Sequence, residues 1–181
     1  MKLDRDILKE IEKHKSDIGE KLFIEPEGIH GINHAARVMY LALTISKLEN
    51  YNERDRNILI SASKFHDIGR INNSVCLIHG KLSNIKMDEY NLLNEFSDED
   101  KSILKYVVHN HCRHDQDTLD NIDIFHIEDK ERAVRLLMAF KDSDGLDRVR
   151  VNDLDPNYLR NDSSKKLVNL AEDLFRKKGI L

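Results

Sequence analysis

Apolar residues recur at helical spacing along nearly the whole chain, and the alternation of apolar and polar positions that marks strands is nearly absent. Leu3, Ile7, Leu8, Ile11 and Ile18 predict an amphipathic opening helix; Phe23 to Ile32, holding Pro26, Gly28 and Gly31, then reads as a loop. Asn33 is placed to cap a helix running to about Leu48. Further helices are predicted from about Glu53 to His66, over a short stretch after His79, and from Ser97 towards His111, where Ser97-Asp98-Glu99-Asp100 has the form of a capping box. A long helix spans Glu128 to about Asp147. The last opens at Ser163 and closes on Arg176-Lys177-Lys178-Gly179, cations and a glycine suited to a helix C-terminus. The pattern predicts an all-α fold of six or seven helices, with residues 1–181 forming a single domain.

Composition narrows the function classes. A chain of 181 residues, 40% hydrophobic, can bury roughly 70% of the surface it exposes when unfolded, so its core needs no disulfide or structural metal. Any metal would therefore be functional. The 29 basic and 33 acidic residues are interspersed for a net charge of −4, which gives no basic patch and disfavours nucleic-acid binding as the main activity. Cys76 and Cys112 are too few for a disulfide framework and read as small buried hydrophobes or free thiols in a reducing compartment. The opening Met-Lys-Leu-Asp-Arg-Asp lacks the apolar run of a signal peptide, and no stretch approaches the ~18 apolar residues of a membrane span. The expectation is a cytoplasmic protein.

Candidate chemistry lies in the nine histidines. There are two His-Asp pairs, His66-Asp67 and His114-Asp115, and the dipeptide alone carries no information. Position on helices discriminates. His34 falls within the stripe of Val38, Leu41, Ala42, Ile45 and Leu48; His66 shares a face with Ile58 and Ala62 and closes its helix, with Asp67 following. Asp144 shares the face of Ala133, Leu137 and Phe140, where an isolated carboxylate would be expensive to desolvate. Inward imidazoles and carboxylates from three helices are all satisfied at once by a buried divalent cation. His111 faces inward with Ile103, Leu104, Val107 and Val108, whereas His109 points to the opposite side; His79 opens a short helix whose small neighbours allow close approach. His14, His30, His114 and His126 stand in polar or loop contexts and are expected to be solvated, as is Asp142. Arg37 is placed either to line a pocket or to orient a ligand carboxylate, and Asp147, Arg148 and Arg150 to form a helix-end salt-bridge network.

The ordered segments Gly31-Ile32-Asn33-His34-Ala35-Ala36-Arg37-Val38, Lys64-Phe65-His66-Asp67-Ile68-Gly69-Arg70 and Asp142-Ser143-Asp144-Gly145-Leu146-Asp147-Arg148 resemble the H…HD…D pattern of the HD superfamily of metal-dependent phosphohydrolases. The resemblance covers about residues 30–150 and leaves a helical extension at each end. It implies that His34, His66, Asp67 and Asp144 bind a first metal, that His79 and His111 bind a second, and that Asp67 bridges the two. It also implies that Arg70 meets a substrate phosphate. His79 stands closer to His66 than in the commoner family pattern. One or two divalent ions (Mn, Fe, Mg, Ni, Co or Zn) are implied, with water activated against a small phosphorylated substrate such as a nucleotide. Two alternatives share the ligand set: a di-iron oxygenase of the same superfamily, and a non-catalytic helical module stapled by metal.

Overall fold

The computed structural model describes residues 3–15 and 17–177, and within them the regular structure is helical without a strand. Its α-helices are α1 (Arg5–Lys15), α2 (Ile32–Leu48), α3 (Glu53–Phe65), α4 (His79–Glu89), α5 (Asp98–Asn110), α6 (Asp115–Asp120), α7 (Lys130–Leu146), α8 (Asp162–Lys165) and α9 (Val168–Arg176), joined by short 3₁₀ turns. No helix among the described residues is long and apolar enough to cross a membrane.

Helix α2 is the axis of the bundle. Its Ala35, Ala36, Val38, Met39, Leu41, Ala42, Leu43 and Ile45 are all buried, so the helix is enclosed on nearly every side. It packs against α1, α3, α7 and α9, while α5 lies on α3 and α7, and α4 on α5. Small residues on the packing faces, including Ala42, Ala62 and Ala133, let the backbones approach. Helix α1 buries Ile7 and Ile11 and is tied down by Tyr40, whose hydroxyl accepts the Asp4 amide at 2.7 Å.

Three of the helix starts follow the capping chemistry. Asn52, Ser97 and Asp129 accept the amides of Asp55, Asp100 and Arg132 through their side chains. Asn33, expected as a cap, instead lies inside the first turn of α2. The turn at Pro26 binds the Ile32 amide (2.8 Å to the Pro26 carbonyl), so the helix begins two residues earlier with Gly31 at the cap. The predicted last helix is broken at Lys166-Leu167 into α8 and α9, and its Lys178-Gly179 ending lies outside the described residues. Helix α6, too short and polar to show a period, was not expected.

A buried charge network fastens α3, α5 and α7. Arg132 donates to Asp55 (2.6 Å) and Asp100 (2.7 Å), Arg135 adds a second bond to Asp55 (3.1 Å), and Arg54 pairs with Asp100. Asp55 is 1% exposed, so its loss would leave the buried Arg132 with Asp100 alone and take the partner from the half-exposed Arg135. Asp55→Ala is expected to destabilise the fold by about 3–5 kcal/mol in urea denaturation; a loss under about 1 kcal/mol, the value for surface pairs, would contradict this reading.

Candidate metal centre

Six side chains singled out in the sequence converge from separate segments. His34 comes from the first turn of α2, His66 and Asp67 from the end of α3, His79 from the first residue of α4, His111 from the end of α5 and Asp144 from the last turn of α7. The imidazoles meet in two pairs: His34 Nε2 is 3.0 Å from His66 Nε2, and His79 Nε2 is 2.8 Å from His111 Nε2. Asp67 stands between the pairs. Its Oδ2 lies 3.6 and 3.5 Å from the Nε2 atoms of His34 and His66, and its Oδ1 lies 3.1 and 3.8 Å from those of His79 and His111. Asp144 Oδ1 completes the first pair at 3.4 Å from His34 Nε2.

The ring orientations are fixed from behind. The Nδ1–H groups of His66, His79 and His111 each donate to a backbone carbonyl three residues earlier, those of Ser63, Cys76 and Val108. A carbonyl accepts only, so each of these rings presents the lone pair of Nε2 inward. His34 is held through Nδ1 by Asp147 at 2.7 Å, itself clamped by Arg37 at 2.6 and 3.0 Å. Lone pairs facing each other at 2.8–3.0 Å repel unless positive charge lies between them. The donor set therefore fits a divalent cation in each half.

The electrostatics agree. Burial pushes the His66 imidazole down to about 3, so it stays neutral. Burial works against ionised Asp67 and Asp144, yet the surrounding histidines hold both carboxyls well below the usual range. Burial and Arg150 lower His34, but Asp144 and Asp147 outweigh them and raise it; Asp67 likewise raises His79 against burial. The cluster demands positive charge.

Two glycines permit the convergence. A Cβ on Gly69 would stand 2.2 Å from the Ser83 amide nitrogen, and one on Gly80 would stand 2.4 Å from the Val108 carbonyl oxygen. Ser83, fully buried, accepts the Gly69 amide at 2.8 Å and donates to the His66 carbonyl at 2.6 Å, locking α4 to the His66-Asp67 turn. The expected close approach at His79 is thus a backbone contact.

Some expectations are corrected. His30 is not solvated: it is largely buried, with Nδ1 2.8 Å from Asp67 Oδ2, and it could act as a further donor beside His34 and Asp67. Asp142 is fully buried rather than solvated, accepting the amides of Arg160 and Asn161 at 2.9 and 2.8 Å. The wheel places it opposite Asp144, but the segment around Leu159–Asn161 covers that face. His14 is half-buried, while His114 and His126 are exposed. His109 packs against the Phe125 ring, away from the donors.

His30, His79, His111 and Asp144 line a cavity of about 680 Å³ whose walls include Arg70, Arg113, Lys141, Arg148, Arg150 and Arg160. Arg70 reaches Asp67 Oδ1 through Nε at 2.8 Å. The second His-Asp pair takes no part in the donor cluster; Asp115 braces the wall, accepting from Lys141 at 2.6 Å and from Arg160 at 2.8 and 2.9 Å. Burial raises the Asp115 carboxyl, but Arg160 and Lys141 overcome this and hold it at about 2, below its ordinary 3.8. A carboxyl depressed by folding stabilises the native state above its unfolded pKa and loses that contribution as pH falls through the folded one. The stability difference between wild type and Asp115→Asn should therefore be full above about pH 4 and shrink towards pH 2. A difference independent of pH in urea titrations would contradict it.

The family model for the HD domain matches residues 31–149. No curated protein and no solved structure matches the chain. The matched span covers the donors from His34 to Asp144 and most of the bundle that positions them. The chain belongs to the HD domain family, within the metal-dependent hydrolase superfamily.

Proposed function

We propose that the protein is a metal-dependent phosphohydrolase acting on a phosphate ester of a small metabolite, a nucleotide or a related compound, with residues 1–181 working as one HD-type domain. The observation that carries this reading is the cluster of metal-type donors, of which His79, His111 and Asp144 open onto a cavity walled by six cationic side chains. Guanidinium groups suit phosphate because their planar donors match its oxygens. Arg113 in particular has no carboxylate partner among the described residues, and its Nε is buried without a hydrogen bond. Tyr158 and Leu77, both exposed at the cavity, offer the non-phosphate part of the substrate an aromatic and apolar surface.

In this reading His34, His66, Asp67 and Asp144 would hold one divalent ion, and His79, His111 and Asp67 would hold a second. Bound ions supply Lewis acidity towards a phosphoryl oxygen and bring the pKa of water towards neutrality. The chain's own groups do the rest. The backbone carbonyls and Asp147 keep the four imidazoles aimed, so the donors need no rearrangement. Arg70 anchors Nε on Asp67 and donates through Nη1 to the Ser74 carbonyl at 3.2 Å. This leaves Nη2 to neutralise a nonbridging phosphate oxygen. Arg150, bonded to the Ile29 carbonyl at 2.9 Å, adds charge beside His30.

Elemental analysis of protein saturated with Mn²⁺ should give about two ions per chain for wild type and His109→Ala, about one for His79→Ala or His111→Ala, and almost none for Asp67→Ala. One ion in wild type, or loss of an ion only in the His109 variant, would overturn the ligand assignment. On a panel of phosphate esters and nucleotides, Arg70→Ala should lower kcat/KM on the order of 10²–10³-fold with metal content unchanged. Absence of turnover by fully loaded wild type across the panel, or an O₂ requirement with iron, would overturn the phosphohydrolase reading.

A further inference from the structure

The two halves of the donor cluster are not chemically equal. The half around His34 and His66 has a carboxylate of its own, Asp144, besides its share of Asp67. The half around His79 and His111 has only the shared Asp67 Oδ1, which leaves a dication there short of negative charge. One further donor is in reach. Cys112 directly follows His111, and its Sγ and one ring nitrogen each of His79 and His111 all lie within 4.8 Å of one another. The thiol lies on the cavity wall, 3.5 Å from the Leu77 carbonyl oxygen, and forms no disulfide.

We propose that Cys112 is the fourth donor of this half, making it a thiolate-containing site of two imidazoles, one carboxylate oxygen and one sulfur. The proposal rests on the metal-centre reading above and adds a ligand to it. On binding, the S–H bond breaks, a sulfur–metal bond forms and the proton passes to solvent, so the half-site gains the negative charge it lacks. Sulfur alters which ion the half-site prefers. A thiolate selects Zn²⁺, Co²⁺ or Fe²⁺ over the hard ions Mg²⁺ and Mn²⁺, whereas the other half, built of nitrogen and oxygen, accepts both kinds. The centre is therefore suited to two different ions. Cys76 lines the same cavity but supplies only its carbonyl, to His79 Nδ1, and serves as the internal control.

The test is to load the full chain with Co²⁺, measure cobalt content, and record the near-ultraviolet absorption in which thiolate sulfur transfers charge to cobalt. Wild type and Cys76→Ser should show the band; Cys112→Ser should lose it while keeping its helical circular dichroism. Zn²⁺ affinity of the second site should fall at least about tenfold in Cys112→Ser, with Mn²⁺ affinity changed less. A cobalt-loaded wild type without the band, or a band that survives Cys112→Ser, overturns the thiolate donor and leaves the metal centre standing. Failure of wild type to bind cobalt overturns both.

Discussion

The structure is organised around one carboxylate that divides its two oxygens between two pairs of imidazoles. Asp67 is 3% exposed, and an ionised carboxylate at that depth is tolerated only where its surroundings return what desolvation removes. In the chain itself His30 and Arg70 return part of it, each 2.8 Å from an Asp67 oxygen, while His34, His66, His79 and His111 stand around the carboxylate with donors that leave room for a cation. Those groups stand on four helices and the turns between them, so the requirements of a single side chain fix how α2, α3, α4 and α5 meet. The packing reflects this: α4 is drawn onto α5 and onto the His66-Asp67 turn so tightly that Gly69 and Gly80 leave no room for a Cβ.

A division of labour separates this centre from the rest of the bundle. On one side of α3, Asp55 and Asp100 are neutralised by Arg132, Arg135 and Arg54, and the network joins three helices. On the other, the charges are left poised, with acceptors facing acceptors and a cationic wall above them. Mutually satisfied charge is the mark of structure, and unbalanced charge at the base of an open cavity is the mark of a binding site.

Much of this was legible in the chain. Helical spacing located the inward faces, and with them His34, His66, Asp144 and His111, because a 3.6-residue period reports direction wherever the helix is long. It told His111 from His109 for the same reason. A helical period carries no direction where there is no helix, and it does not reveal a covering segment from elsewhere in the chain. His30 sits in the turn before α2, which has no face to compute, and its contact with Asp67 spans 37 residues. Asp142 does point away from the donors, but a wheel cannot show that the stretch around Arg160 and Asn161 returns to cover it. Asp147 reads from the chain as part of a helix-end network, and it does link to Arg37 and Arg150; its bond to His34 Nδ1 depends on α2 crossing the end of α7, a tertiary fact.

Three of the four imidazoles take their orientation from a carbonyl only three residues earlier in their own chain segment. Each such ring carries its support with it, like a tool with a built-in handle, and owes nothing to the side chains of the cavity walls. His34 alone is steadied from outside, through Asp147, Arg37 and Arg150. Divergence of the walls can therefore retune which molecule is accepted while three rings keep their aim, and only changes near the Asp147 contact touch recognition and donor geometry together.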